Sequence, residues 1–215
     1  VDGDNVCGDV DVCPYDIYDD SDNDGSCDSE DICNGENDFL DTDGDLVPDC
    51  LEILGCMDHG ASNFNEDATD EDGSCIYSYN LNYQSGPNLV SFYVLPDDEL
   101  TYSTEIFIND NFDTNNVLAL LGQNEAVVFT ENGMFGSLIE VNRLDGYWLK
   151  INNAENVSLT GFKTEPDVEY SINSGPNLIS FPSDGYYALE DVLPSELEGV
   201  VYAILGEGTA ALYIN

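Results

Sequence analysis

Carboxylates alternate along one short stretch of this chain. Asp20, Asp22 and Asp24 stand before Gly25, and Asp28 and Asp31 follow, so one loop offers acids at its positions 1, 3, 5, 9 and 12. Further on, Asp41, Asp43, Asp45, Asp49 and Glu52 keep the same spacing. Earlier, Asp2, Asp4 and Asp11 match Asp22, Asp24 and Asp31, while Cys7 and Cys13 match Cys27 and Cys33, which sets a period of about 20 residues. Ca²⁺ takes about six to eight hard oxygen ligands, and a loop with acids at alternate positions can wrap them around one ion. Position 7 supplies a backbone carbonyl, here from Ser26 or Val47, and position 12 closes the shell with Asp31 or Glu52. Gly25 at position 6 permits the sharp turn. Mg²⁺ suits the pattern less well, because it favours fewer protein ligands and keeps its waters. Asp-rich stretches are often plain solvated surface, but three loops in register with a cysteine repeat favour calcium.

These residues resemble thrombospondin type 3 repeats in the short form found in secreted bacterial proteins. The resemblance covers residues 1–52 and rests on the DxDxDGxxDxxDxC pattern and on Cys13-Pro14. It implies an extracellular, calcium-dependent stalk in which ions and disulfides replace a hydrophobic core. It also implies one full site at Asp20, Asp22, Asp24, Asp28 and Asp31, and another at Asp41, Asp43, Asp45, Asp49 and Glu52. The first repeat departs from the pattern: its position 1 would precede Val1, and Gly8 stands at position 9. Position 6 is Asn5 in the first repeat and Leu46 in the third. The family often holds a second ion per repeat, which adds Asp9, Asp16 and Asp19 as candidates.

All seven cysteines fall in residues 1–78, three pairs of them six positions apart, with a lone His59 in the chain. That is not the C-x2-C spacing of zinc or redox sites. Spacing alone leaves the pairing open. The repeat favours a ladder joining adjacent modules: Cys13–Cys27, Cys33–Cys50 and Cys56–Cys75, with the partner of Cys7 expected upstream of Val1. Disulfides at this density point to an oxidising, extracytoplasmic compartment, extracellular or at the cell surface.

Residues 55–75, from Gly55-Cys56 to Asp72-Gly73-Ser74-Cys75, are similar to a short GC…DGSC repeat of secreted bacterial proteins. Ser62 stands where that motif often has another Cys. Asn63, Asn65, Asp67, Asp70 and Asp72 offer a further Ca²⁺ set, and the alternative is a small disulfide-closed cap. His59 is expected to be solvent-exposed.

The remainder repeats as well. Ser85–Phe92 reads SGPNLVSF and Ser174–Phe181 reads SGPNLISF, while Leu121-Gly122…Ala126 matches Leu205-Gly206…Ala210. Alternating or β-branched runs predict strands at Asn88–Val94, Ala126–Thr130, Ser137–Val141 and Tyr147–Ile151, with Gly133, Gly136 and Gly146 at turns. Glu105-Ile-Phe and Glu190-Asp-Val suggest one short helix per module. The pattern NL[VI]SF…LG…A…GSL…DGYWLK resembles a β-rich module near the C-termini of large secreted bacterial proteins, one with no assigned chemistry. Tyr147 and Trp148 suggest either a glycan platform or, as the favoured reading, a buried Trp anchoring a small β core. Asn156-Val-Ser158 is a sequon, a triplet common by chance.

Over the whole chain, the expected fold is mainly β: an irregular, Ca-loaded, disulfide-laddered stalk followed by tandem small β-domains, each with a short helix. The boundaries read as calcium repeats 1–54, the closed motif 55–78, a first β-domain 79–165 and a second, incomplete one 166–215. The 215 residues carry 45 acids against three bases, a formal charge of −42, and 25 of those acids lie in residues 1–78 without a single Lys or Arg. Three bases cannot neutralise phosphates, so nucleic acid is excluded as a partner, and anionic membrane surfaces repel such a chain. No apolar run approaches the roughly 20 residues of a membrane-spanning helix. No Ser/His/Asp set, thiol pair or phosphate loop emerges, so the chain is read as a structural protein and not an enzyme. Val1 does not look like a translation start. Both ends are expected to fall inside a repeat, as in a fragment of a longer chain or in a homo-oligomeric subunit of a fibre or tube completed by its neighbours. The alternative function is a surface adhesin or a glycan-binding accessory module of a secreted enzyme.

Overall fold

The computed structural model describes residues 13–165, 167–182, 187–193, 197 and 199–212. Asp2, Asp4, Cys7, Asp9 and Asp11 lie outside the described residues. The chain forms two units, residues 1–75 and 76–215. It is mainly β, in several small sheets, with three disulfides.

The first unit follows from its composition. Acids every second or third residue leave no apolar face for a helix or strand, so among the described residues its regular structure is a 3-10 turn at Asp49–Leu51 and a short parallel pairing of β1 (Leu54–Gly55) with β2 (Asp70–Glu71). Cys13–Cys27, Cys33–Cys50 and Cys56–Cys75 are bonded, closing sequence separations of 14, 17 and 19. This is the ladder the repeat favoured, and it suits an extracellular or otherwise oxidising environment. Among the described residues, the buried side chains here are the cysteines Cys13, Cys33 and Cys56 and the carboxylates Asp16 and Asp38. Tyr15, Tyr18, Phe39 and Leu46 all face solvent.

The second unit carries a conventional core. Its first strand, β3 (Tyr77–Tyr83), starts just ahead of the boundary drawn from composition. Then come β4 (Gly86–Ser91), β5 (Val94–Leu95), β6 (Thr101–Ser103) and α1 (Thr104–Asn111). They are followed by β7 (Val117–Leu121), β8 (Ala126–Thr130), β9 (Gly133–Gly136), β10 (Glu140–Asn142), β11 (Gly146–Ile151) and β12 (Glu155–Lys163). An antiparallel sheet runs in the order β4-β11-β7-β8-β9, a second in the order β3-β12-β5, and β6 pairs with β10. The strands alternate as period-2 patterning requires: β11 buries Tyr147, Leu149 and Ile151 and turns Trp148 and Lys150 outward. Phe92 sits fully buried among the rings of Phe107, Phe112 and Tyr147, at centroid distances of 4.7, 6.4 and 5.5 Å. The helix α1 is capped by the Ser103 hydroxyl, which accepts from the Ile106 N–H, and it sends Phe107 and Ile108 into that core.

Three expectations need correction. The stretch Ser137–Val141 is not one strand: β9 covers Gly133–Gly136, which the sequence assigned to turns, and only Glu140–Asn142 is extended beyond it. At Gly136 the backbone has φ +155° and packs against the Ala126 carbonyl and Val127 Cα so closely that a Cβ would collide with both, so glycine here is a strand residue of close approach. Trp148 is not the buried anchor; it is 41% exposed, and its neighbour Tyr147 fills the core with its hydroxyl accepting from the Asn142 N–H at 2.7 Å. A one-residue shift in register exchanges which of two adjacent aromatics points inward.

Beyond β12, Ser180 N–H donates to the Leu144 carbonyl and Gly146 N–H to the Leu178 carbonyl, a single antiparallel bridge between Ile179 and Asp145. The chain then forms α2 (Leu189–Val192) and the hairpin of β13 (Ala203–Gly206) and β14 (Thr209–Leu212).

Candidate metal centre

The second loop gathers the carboxylates its spacing predicts. One oxygen each of Asp20, Asp22 and Asp24 lies within 4.8 Å of the others, and the same holds for Asp41, Asp43 and Asp45. Backbone N–H groups turn each loop around its own acids. Asp20 accepts from Asp24 N–H at 3.1 Å and Gly25 N–H at 3.0 Å, Asp22 from Asp24 N–H at 3.2 Å, and Asp24 from Ser26 N–H at 2.7 Å. In the next loop Asp41 accepts from Leu46 N–H at 3.1 Å, Asp43 from Asp45 N–H at 3.0 Å, and Asp45 from Val47 N–H at 2.7 Å. The two loops thus share three hydrogen bonds at matched positions and differ in one: Asp41 takes its second bond from Gly44 N–H at 2.7 Å, one position earlier than the Asp24 N–H that bonds Asp20. Leu46 takes the place of Gly25 with φ +79° against +105°, and Gly44 two residues before it also has a positive φ, +85°. The backbone carbonyls expected of Ser26 and Val47 belong to residues whose N–H groups are already committed to the loop.

Asp28 and Asp49, at position 9, are bonded within their own loops. Asp28 accepts from the Ser21 N–H and hydroxyl, both at 2.8 Å, and Asp49 from the Thr42 N–H at 2.7 Å and hydroxyl at 2.6 Å. Each clamps position 9 to position 2 of its loop. Asp31 accepts from Gly35 N–H at 3.3 Å, and its other oxygen is buried without a partner, as is one oxygen of Asp22. Asp24 also accepts from the Asp38 N–H at 2.6 Å, and Asp38 accepts in turn from Cys33 N–H at 2.8 Å and Ile32 N–H at 3.1 Å. Asp16 likewise bonds the Tyr18 and Ser29 N–H groups. Asp38 was missed in the sequence because it lies outside the loop pattern; its burial beside a cysteine is a tertiary fact.

Glu52 and Asp70 meet Asp43 in a third group, again within 4.8 Å. This joins the third loop to the 55–75 motif, since Asp70 sits on β2. In the 55–75 motif Asn63 donates to the Ser74 carbonyl across the loop, Asn65 accepts from Asp67 N–H and Asp72 accepts from Ser74 N–H. His59 is exposed and lies 4.1 Å from the Phe64 ring, centroid to centroid. Cys56 and Cys75 lie near Glu71 but are bonded to each other, so they are not thiolate ligands.

The electrostatics divide these acids into two kinds. Burial, then the charges of Asp24 and Asp31, push the Asp22 carboxyl up; burial and the charges of Asp70 and Asp49 do the same to Glu52. For Asp43, the Asp45 N–H pulls down most, yet burial and the charges of Asp45, Asp70 and Asp41 together raise it. Donated N–H groups hold Asp16 low, Thr42 holds Asp49 low, and hydrogen bonds from Ser26, Cys33 and Ile32 overcome burial to keep Asp38 low. The signs follow by linkage. Asp16, Asp38 and Asp49 lend stability above the ordinary carboxylate range, lost as pH falls through their depressed values. Asp22, Asp43 and Glu52 lend it only below that range and lose it as pH rises through their elevated values. Above their elevated values Asp22, Asp43 and Glu52 therefore oppose their own loops, and positive charge placed among them would reverse that sign.

Among the described residues no helix is long and apolar enough to cross a membrane. Compared with family models, curated proteins and solved structures, the chain finds no match.

Proposed function

We propose that this chain is an extracellular calcium-binding structural protein, a subunit or segment of a fibre, tube or surface stalk. Ca²⁺ and disulfides stiffen its acidic repeats, and its β modules connect one subunit to the next. The reading rests above all on one observation: two loops with identical acid spacing hold three carboxylates each within 4.8 Å, in a unit that buries no aliphatic or aromatic side chain among its described residues. Oxygen-only ligands in a flexible loop suit Ca²⁺ over Zn²⁺ or Mg²⁺. The resemblance to thrombospondin type 3 repeats and the extracytoplasmic chemistry of three disulfides support the same reading. Its role is mechanical and not catalytic.

Asp24→Ala tests the register. Asp24 contributes to the Asp20/Asp22/Asp24 group and also receives the Asp38 N–H, whereas Asp58 shapes a local turn by accepting the Gly60 N–H. Calorimetric titration with Ca²⁺ is expected to show one tight site weakened at least about tenfold in Asp24→Ala and unchanged affinity in Asp58→Ala. Equal losses in both variants contradict the assignment.

A second reading, an adhesin or glycan-binding module, draws on the exposure of Trp148. Its cross-strand neighbours Leu89 and Leu121 extend that face. Glycan binding that vanishes in Trp148→Ala favours it.

A further inference from the structure

The first β module, from β3 to β12, ends its sheets at β3, β4, β5 and β9, while β6 and β10 pair with each other. Most of these edges are blunted, as soluble sheets require. β5 is two residues long, β6 and β10 three each, and β9 four with a glycine at either end. In β4, Pro87 has no N–H to offer, and the Leu89 N–H is taken by the Glu207 carboxylate at 3.0 Å. The edge that remains is β3, seven residues long and paired along its whole length with β12. Among the described residues no strand lies on its other side.

Nothing in β3 discourages pairing. Its sequence, Tyr-Ser-Tyr-Asn-Leu-Asn-Tyr, holds no proline, glycine or charge. It lies within residues 73–96, the longest uncharged run of a chain with formal charge −42. The second module differs at the offset of 89 residues that relates Ser85 to Ser174: Pro166 stands for Tyr77, Asp167 for Ser78 and Glu169 for Asn80. One module thus carries the proline and charges that keep edges apart, and the other has neither. Outward, β3 and β12 present a neutral ladder, with Ser78 beside Thr160, Asn80 beside Ser158 and Asn82 beside Asn156. The Ser78 and Thr160 hydroxyls are bonded at 2.9 Å. Inward, Tyr77 and Tyr83 at the strand ends are buried, whereas Tyr79 and Leu81 between them stay half-buried.

The strand also fits itself. Turned end for end about Asn80, a second β3 sets Tyr83 against Tyr77, Asn82 against Ser78, Leu81 against Tyr79 and Asn80 against Asn80. Apolar residues meet apolar ones, polar meet polar, and no like charges stand opposite each other. The half-buried Tyr79 and Leu81 are then covered by their counterparts. A chain of this charge repels its copies over most of its surface, so a neutral edge is where two of them can approach. A module of the second kind is a poorer occupant, because Pro166 removes an N–H and Asp167 and Glu169 set charge against neutral amides and hydroxyls. Self-complementarity therefore selects a second copy of β3.

We infer that β3 pairs antiparallel with β3 of a second copy of this chain, making one continuous sheet across a two-fold axis at Asn80. Main-chain bonds along the edge give affinity, and the Tyr79–Leu81 contacts fix the register. The contact is isologous and closes at two copies. It couples stalks in pairs and leaves the lengthwise growth of a fibre to other surfaces. It requires no bound ion, so it goes beyond the calcium reading and stands or falls apart from it.

The test is sedimentation equilibrium of the intact 215-residue protein with excess Ca²⁺ in about 0.15 M NaCl, where the Debye length is about 8 Å. A monomer–dimer equilibrium with a Kd below about 1 mM is expected, and hydrogen exchange across Ser78–Asn82 should slow as concentration rises. Asn80→Asp and Asn80→Lys each place like charges on the axis and should weaken dimerisation at least about tenfold. Mixing the two variants should restore it, because aspartate meets lysine only if the two copies of position 80 face each other. Asn80 is exposed, so both variants should fold, which unchanged near-ultraviolet dichroism verifies. The inference is overturned by a monomer at every concentration or by dimers indifferent to both substitutions. Failure of the mixture to re-associate overturns it too, as does protection confined to β9, β13 or β14.

Discussion

Chelation of divalent ions is expected to expand residues 1–75 while residues 76–215 stay folded. The first unit has no apolar core to fall back on: its described buried side chains are three cysteines and two aspartates. Without ions, Asp22, Asp43 and Glu52 sit where burial and neighbouring charge disfavour ionisation. Ion binding is then largely folding energy. The disulfides restrain the unfolded chain, each by about 3 kcal/mol for loops of this length in the chain-entropy view. They limit the expansion, and they lack the directionality to rebuild the loops. Small-angle scattering with and without EDTA should show the radius of gyration rise, and limited proteolysis should cut within residues 13–50 first. Near-ultraviolet dichroism from the Tyr147 and Phe92 cluster should stay constant. Unchanged scattering and unchanged protease resistance would remove ions from the account of this unit's stability.

The second large effect belongs to the β core. Phe92→Ala is expected to destabilise residues 76–215 by about 3–5 kcal/mol, the usual range for truncating a fully buried aromatic. Phe92 touches rings from α1, from β11 and from Phe112, so its removal leaves a cavity shared by a helix and a central strand. A fall in the thermal midpoint of the order of 10 °C is expected for a unit of this size. Calcium affinity should not change, because the two units hold separate interiors. A loss under about 1 kcal/mol would mean that the ring cluster is not the organising core.

The convergence of the acid loops was legible because acids at alternate positions, repeated in register with cysteines, are the spacing by which one loop brings three carboxylates together. The disulfide ladder came from the same repeat. The clamps made by Asp28 and Asp49 were not legible, since spacing alone does not show which neighbours reach a carboxylate at position 9. Only the folded loop brings Ser21 and Thr42 onto them. Asp38 was hidden for a related reason, its bonds to Ile32 and Cys33 being set by where the Cys33–Cys50 link holds the chain. In the β unit, Ala126–Thr130 emerged with the bounds its pattern predicted. Gly133–Gly136 did not, because two glycines argue for a turn until the approach of Ala126 is known. Gly161 obeys the same logic: with φ +158° it presses on the Leu95 carbonyl where β12 leaves β3 and joins β5, a switch that alternation alone does not announce. Tyr147 and Trp148 show the limit most plainly. Adjacent aromatics in one strand must face opposite ways, and composition does not say which is inside.

The central claim, that the loops at Asp20–Asp24 and Asp41–Asp45 hold Ca²⁺, is tested most directly at two backbone groups. The Gly25 N–H donates to Asp20 and the Leu46 N–H to Asp41, at matched positions of the two loops. Titrating ion-free, isotope-labelled protein with Ca²⁺ and reading both amide resonances should show each move in a saturable transition, with Mg²⁺ at the same concentration producing little change. If neither resonance responds to Ca²⁺, or if Mg²⁺ reproduces the full shift, the loops are not calcium sites.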